Sequence, residues 1–391
     1  MAVLPLSRVD VRRKRVLLRC DFNVPLAQGK VADPRRITAS LPTIEYLIAR
    51  EAAVVLCSHL GRPREPDPQL SLAPVAAFLG QRLGFEVALA ADCVGEAALR
   101  MAGALPFGRA LMLENLRFHR EEEANDPGFA AELAAGKQVY VNDAFGAAHR
   151  AHASISAAPR LFPARAAGLL LMREVEMLRA VTEHPARPFV LIVGGAKVSD
   201  KVGVFKNLIG RVDAVLVGGA MAQTLLKAQG VEVGRSKVEE RALDSARQIV
   251  GQLGRAGVEL VLPEDFVVAA APEAGAAARV VAAIAPDMMA LDIGPLTAER
   301  FIARLSGART VVWNGPLGYC ELPAFAEGSL KVGAWLAGRK DVLSVIGGGD
   351  TAAVFDSQPW ANGFSHISTG GGATLEYLEG RELPGLSALE L

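Results

Sequence analysis

The sequence predicts an α/β protein of two doubly wound parallel-sheet domains joined by a helix, and three observations carry that reading. The chain has 391 residues, and at roughly 100–200 residues per domain it divides more naturally into two cores than one. Short runs of Val, Leu and Ile recur, each closed by a glycine or polar cluster and followed by a stretch with helical spacing. The runs are continuously apolar, not alternating, which suits strands covered by helices on both faces.

In chain order, the first half offers runs at residues 15–20 (RVLLRC), 53–57 (AVVLC), 85–89, 110–113 and 138–141. The second half offers residues 189–193 (FVLIV), 214–217, 259–262, 289–291, 310–313 and 343–346. Strand and helix alternate throughout, so both halves read as Rossmann-like. Between them, residues 168–184 place Leu170, Val175, Leu178 and Val181 on one side and stop near Pro185 and Pro188, the pattern of a helix. We read it as a hinge helix at about 169–184, linking a domain at 1–168 to one at 169–377; an ordinary surface helix fits the same pattern. The alanine-rich segment 269–285 reads as loop plus packing helix.

Composition excludes several classes of function. With 51% hydrophobic and 21% charged residues the chain is neither disordered nor fibrous. Lys plus Arg and Asp plus Glu each number 42, so no field of one sign points to nucleic acid or a membrane surface. Up to Met172 there are 21 basic and 17 acidic residues, and after it 21 and 25, giving +4 against −4; anions are expected in the first half. Cys20, Cys57, Cys93 and Cys320 show no C-x-x-C spacing, so reduced thiols are expected rather than a thiolate metal site. No leader pattern opens the chain and no apolar run nears the ~18 residues of a membrane span. A cytoplasmic protein is the expectation.

In open parallel sheets, ligands bind beyond the carboxyl ends of the strands. Those ends in the first half carry Asp21-Phe22-Asn23, Ser58-His59-Leu60-Gly61-Arg62, Glu114-Asn115-Leu116-Arg117 and Asn142-Asp143 leading to His149-Arg150, with Arg36 at the next helix start. Guanidinium forks bind carboxylate and phosphate bidentately, so three arginines at equivalent strand ends suit a small, highly anionic substrate. The run Glu121–Glu123 reads as a solvated charge run. The second half ends its strands in Gly194-Gly195, Gly218-Gly219, Gly294, Asn314-Gly315 and Gly347-Gly348-Gly349-Asp350-Thr351. Such turns let backbone N–H groups and helix N-termini approach phosphates. A helix starting near Lys197 would put Lys197 and Lys201 on one face, and Asp350 at a helix start suits Mg²⁺. No G-x-x-x-x-G-K-[ST] or G-x-G-x-x-G occurs, which argues against a P-loop enzyme or a nicotinamide-dependent dehydrogenase.

With these residues in view, the chain resembles the phosphoglycerate kinase family along nearly its whole length. The resemblance is carried by RCDFNVPL (19–26), RRITASLPTI (35–44), SHLGRP (58–63), ENLRF (114–118), NDAFGAAHRAHAS (142–154), GGAKVSDK (194–201), VWNGPLGYCE (312–321), GGGDT (347–351) and STGGGATLEYLEG (368–380). It implies reversible, Mg²⁺-dependent transfer of the acyl phosphate of 1,3-bisphosphoglycerate to ADP, giving 3-phosphoglycerate and ATP, by direct in-line transfer after domain closure in a monomer. Asp21, Phe22, Asn23, Arg36, His59, Leu60, Gly61, Arg62, Arg117 and Arg150 then look like the residues that hold 3-phosphoglycerate. Arg36, Lys197 and Gly371, in the turn Gly370-Gly371-Gly372, look catalytic. Lys201, Gly219, Gly294, Asn314, Glu321, Gly348, Gly349, Asp350 and Thr351 resemble the nucleotide positions, with Asp350 on the metal. Residues 378–391 are expected to return to the first domain. Ala220, Leu296 and Cys320 depart from the family pattern around the base and ribose. A non-catalytic metabolite sensor that keeps both sites is the alternative from another class.

Overall fold

The computed structural model describes residues 3–390 as two compact units, the first running to Val175 and resuming at Glu382, the second spanning Glu176–Arg381. The division falls inside the helix Leu169–Thr182.

In the first unit the apolar runs become β1 (Arg15–Arg19), β4 (Ala53–Cys57), β5 (Ala88–Leu89), β6 (Ala110–Met112) and β7 (Val139–Asn142). A hairpin, β2 (Leu26–Ala27) and β3 (Lys30–Val31), stands apart from them. An edge strand absent from the sequence reading, β8 (Ala164–Ala167), completes a parallel sheet of order β5-β6-β4-β1-β7-β8. Every residue of β4 and β7 is buried, the outcome expected of strands covered on both faces. A buried Val or Leu side chain contributes roughly 1.5–3 kcal/mol of transfer free energy, so runs such as Val54-Val55-Leu56 anchor the layer. The chain leaves β1 towards β4 on one side and leaves β7 towards β8 on the other, which puts the topological switch point between the carboxyl ends of β1 and β7. The C-terminal segment belongs to this unit: the Gly385 N–H donates to the Ala148 carbonyl at 2.8 Å, and the Arg165 guanidinium meets the Glu390 carbonyl.

The second unit repeats the plan with β9 (Phe189–Val193), β10 (Ala214–Val217), β11 (Glu259–Val261), β15 (Thr310–Asn314), β16 (Leu343–Gly347) and the short β17 (His366–Ile367), in the order β11-β10-β9-β15-β16-β17, all parallel. Its switch point lies between β9 and β15. Two expectations are corrected here. The run at 289–291 is not in the parallel sheet: it forms β14 (Met289–Ile293), which pairs antiparallel with β12 (Phe266–Ala269) in a separate three-stranded sheet whose other edge is β13 (Arg279–Val281). Its first three residues are only partly buried, because one flank borders a cavity instead of a helix layer. The alanine-rich segment 269–285 likewise holds no helix; Pro272 and Gly275 break it and the β-branched Val280-Val281 pair forms β13.

Candidate active site

Three carboxyl ends of the first sheet converge on one cationic surface. The Asp21 carboxylate, after β1, receives Arg36 Nη1 at 3.2 Å from each oxygen, and the same nitrogen donates to the Asn23 carbonyl at 3.1 Å. Arg36 comes from the first turn of the helix Arg35–Ala49. The Asn23 side chain accepts the Gly61 N–H at 2.8 Å, and the Phe22 N–H donates to Ser58 Oγ at 2.8 Å, which fixes the β1 loop to the β4 loop. Asn115 clamps the latter from the other side: its amide donates to the Leu60 carbonyl at 2.8 Å and its oxygen accepts the Leu60 N–H at 3.1 Å. Arg117 is buried and donates to the Gly61 carbonyl at 2.6 Å. Arg150 reaches His149 at 3.4 Å, while Arg62 is exposed and has no polar partner among the described residues.

The sequence reading missed a further arginine. Arg19, 1% exposed at the end of β1, donates Nε to Ser154 Oγ at 2.9 Å and sets Nη2 3.2 Å from His59 Nδ1. Ser154 passes the contact on: its Oγ donates to Glu122 Oε1 at 2.6 Å and its N–H to Oε2 at 2.8 Å. Glu122 is fully buried, so the reading of Glu121–Glu123 as a solvated run is corrected at its middle residue. It is the counter-charge that lets Arg19 sit in the core. Burial, then Arg19, Arg117, Arg150 and Arg36, hold His59 well below the usual histidine range. Burial, then Arg117, Arg19, Arg150 and His149, brings His152 down to about 4. The surface therefore gathers arginine charge beside neutral imidazoles, an arrangement suited to anions.

Asp143, at the end of β7, is buried and accepts the N–H groups of Leu170 and Leu171 at 2.9 and 3.2 Å, holding the start of the helix Leu169–Thr182. Burial pushes its carboxyl up to about 7.

In the second unit, the turns after β9 and β15 cross in backbone contact. A Cβ on Gly194 would stand 2.0 Å from the Pro316 carbonyl oxygen, and one on Gly315 (φ +99°) would stand 2.3 Å from the Gly194 oxygen. Hydrogen bonds weave the strand ends together: Gly195 N–H to Pro316 O at 2.9 Å, Gly219 N–H to Leu317 O at 2.7 Å, and Gly315 N–H to Thr351 Oγ1 at 2.7 Å. Lys201 binds the Asn314 side-chain oxygen, and burial lowers its ammonium from the usual lysine value. The helix expected to carry both lysines begins only at Val202, after the 3₁₀ turn Ser199–Lys201, because the Gly194-Gly195 crossing holds the preceding chain in a turn. Lys197 lies exposed in that turn.

Beside this crossing opens a cavity of about 650 Å³, of a size for a nucleoside. Phe266, Met289, Leu291, Pro316 and Leu317 supply apolar walls; Gly219, Ala220, Cys320, Glu321 and Asp350 also line it. Gly348 has φ +90° and precedes the helix Gly349–Asp356, with Asp350 exposed in its first turn. Gly371 (φ +52°) has open space where a side chain would stand and caps the helix Gly372–Leu378. Gly294 lies elsewhere, packed on Asp265, whose carboxylate accepts the N–H groups of Leu296 and Thr297 at 3.0 and 2.8 Å. Leu296 is 55% exposed and outside the cavity wall.

Asp350 offers one hard carboxylate at the cavity mouth. Among the described residues, the His, Cys, Asp and Glu atoms close enough to share an ion are those of Asp92, Cys93 and His119, so a cation at Asp350 would need most of its oxygens from a ligand. That donor set fits Mg²⁺, which is commonly bound through one or two carboxylates plus substrate phosphates.

The family model for phosphoglycerate kinase matches residues 6–381. The phosphoglycerate kinase of Moorella thermoacetica is 51% identical over 392 residues, covering 100% of this chain and 99% of that one. That of Anaeromyxobacter dehalogenans is 51% identical over 396 residues with 100% of both covered. The solved structure of phosphoglycerate kinase from Coxiella burnetii superposes with a TM-score of 0.90 at 38% identity over 99% of each chain.

Proposed function

The chain belongs to the phosphoglycerate kinase family and is a glycolytic phosphotransferase, and from that premise we propose how its residues divide the work. The first unit holds 3-phosphoglycerate or 1,3-bisphosphoglycerate: Arg36, Arg62, Arg117 and Arg150 meet the anionic groups, His59 donates from Nε2, and Asp21, Phe22, Asn23, Leu60 and Gly61 shape the floor. The second unit holds ATP or ADP, with the base among the apolar walls, Glu321 towards the ribose, and Lys201, Asn314, Gly348, Gly349 and Thr351 around the phosphates. Gly219 completes a turn that frames it, while Gly294 stands apart from the cavity.

A carboxylate is already a competent nucleophile, so no general base or covalent enzyme intermediate is required. In the ATP-consuming direction the 3-phosphoglycerate carboxylate oxygen bonds to the γ-phosphorus, the bond from that phosphorus to the bridging oxygen breaks, and ADP leaves with the electron pair. Arg36 and Lys197 neutralise the transferring group, and backbone N–H groups after Gly371 face it. Mg²⁺ held by Asp350 and the phosphates would supply charge neutralisation on the leaving oxygens. Donor and acceptor are held on different units, so transfer requires those units to bring the ligands together and exclude water, with Leu169–Thr182 as hinge. One chain carries both half-sites, which supports a monomer, and four free cysteines suit the reducing cytoplasm; no helix among the described residues is long and apolar enough to cross a membrane.

The observation that supports this most is the guanidinium cluster around Arg36, His59 and Arg117. A coupled assay of ATP- and Mg²⁺-dependent phosphorylation of 3-phosphoglycerate tests it. Arg36→Ala should cut kcat/KM for 3-phosphoglycerate by at least about 100-fold; an unchanged value would remove the assignment. Scattering profiles identical with and without both substrates would remove the closure step.

A further inference from the structure

We propose that Asp92, Cys93 and His119 form a binding site for a divalent metal ion of the zinc class on the first unit. A carboxylate oxygen, the thiol sulfur and a ring nitrogen, one atom from each residue, lie within 4.8 Å of one another. Asp92 Oδ1 is the meeting point: it accepts the Cys93 N–H at 2.6 Å and stands 2.7 Å from His119 Nε2. Asp92 and Cys93 lead into the helix Gly95–Ala104, and His119 follows the 3₁₀ turn Leu116–Phe118. The His119 ring lies against the buried Phe129, with centroids 5.3 Å apart. All three donors are thus held by hydrogen bonds and packing before an ion arrives. The sequence expectation of plain reduced thiols passed over this group because 27 residues separate Asp92 from His119, and only the fold joins them.

The donor set selects the ion. Thiolate and imidazole suit Zn²⁺, whereas Mg²⁺ takes oxygen ligands. Tetrahedral Zn²⁺, with bonds of ~2.0–2.3 Å, spaces its ligand atoms roughly 3.3–3.8 Å apart. The His119–Asp92 contact would widen by about half an ångström and the longest separation would close by about one, changes that side-chain rotation supplies. Cys93 is 1% exposed, while the His119 and Asp92 side chains are 28% and 49% exposed. An ion therefore enters from the Asp92 side, meets a buried sulfur behind it and keeps water as its fourth ligand. Without an ion, burial and then the Asp92 charge hold the Cys93 thiol well above its ordinary value; coordination sends that proton to solvent and binds the thiolate. The bound ion would fasten the start of Gly95–Ala104 to the segment that carries Arg117 and Glu123, themselves 3.2 Å apart.

The test titrates the whole chain, stripped of metal and free of nucleotide, with Co²⁺ as a visible stand-in for Zn²⁺. Wild type should bind one equivalent with a thiolate-to-cobalt charge-transfer band, and Zn²⁺ should abolish the band by displacement. Cys93→Ser should lose the band, and His119→Gln should weaken binding at least about tenfold. Zn²⁺ should raise the thermal unfolding midpoint of wild type and leave that of both variants in place. His119→Gln leaves the buried sulfur untouched, so the test stands even where the serine variant misfolds. Absence of the band in folded wild type, a band that persists in Cys93→Ser, or undiminished affinity in His119→Gln would overturn the site and reduce the group to an Asp–His hydrogen bond.

Discussion

Arg19 Nη2 stands 3.2 Å from His59 Nδ1, both side chains in the core. A guanidinium has only donors to offer, so Nδ1 must present its lone pair and the proton sits on Nε2. The arginine cluster and burial reinforce this by disfavouring the imidazolium. The ¹⁵N shifts of His59 should therefore report a neutral Nε2–H tautomer from pH 8 down to pH 5 in the substrate-free protein. A titration centred near the ordinary value of 6.5 would contradict the contact.

Ser154 is the relay between Arg19 and Glu122. Ser154→Ala leaves Arg19 Nε and one Glu122 oxygen without their partner in a dry setting, a cost of about 1–3 kcal/mol. The urea midpoint should fall accordingly. Because the relay holds Arg19 against His59 in the proposed anion site, KM for 3-phosphoglycerate should rise severalfold while KM for ATP stays put. A parallel change in both would mark the residue as generally structural.

Asp292 accepts the N–H groups of Gly328 and Ile293, each at 2.8 Å, and burial pushes it up to about 7. Its folded value is raised above the ordinary 3.8, so its favourable contribution is full below about pH 4 and is lost as pH rises through 7. Asp143 follows the same rule. Wild-type stability should accordingly gain on Asp292→Asn at pH 5 relative to pH 8, measured by urea unfolding at both. A pH-independent difference would refute the shifted carboxyl.

The crossing of Gly194 and Gly315 leaves no room for a methyl group on either residue. Gly315→Ala adds the left-handed backbone conformation to that clash, and should destabilise the second unit by about 3 kcal/mol or more. Calorimetry should show it as a lowered transition with the nucleotide site lost first. A variant as stable as wild type would mean the two turns are not in contact.

Much of this was legible because continuous apolar runs mark buried parallel strands: residues 53–57 and 189–193 are strands along their whole length. β8 and β17 escaped notice because edge strands of two to four residues, one of them reading ARAA, carry no apolar run. β14 was legible as a strand but not as antiparallel, since pairing partners leave no local trace. Arg19 hid inside the run RVLLRC, where a lone charge in a core strand is the signal that could have exposed it. Ser154 and Glu122 lie 135 and 103 residues beyond it in the chain, and only folding brings the three together.

In the proposed function the second unit presents the transferring phosphoryl group to a carboxylate held on the first, with Lys197 acting on the group in flight. The most direct measurement compares wild type and Lys197→Ala for kcat in the phosphorylation of 3-phosphoglycerate, alongside the calorimetric affinity for ATP. Lys197→Ala should lose at least about 100-fold in kcat and keep ATP affinity within threefold. Undiminished kcat in the variant, or no turnover by wild-type protein that binds both substrates, would contradict it.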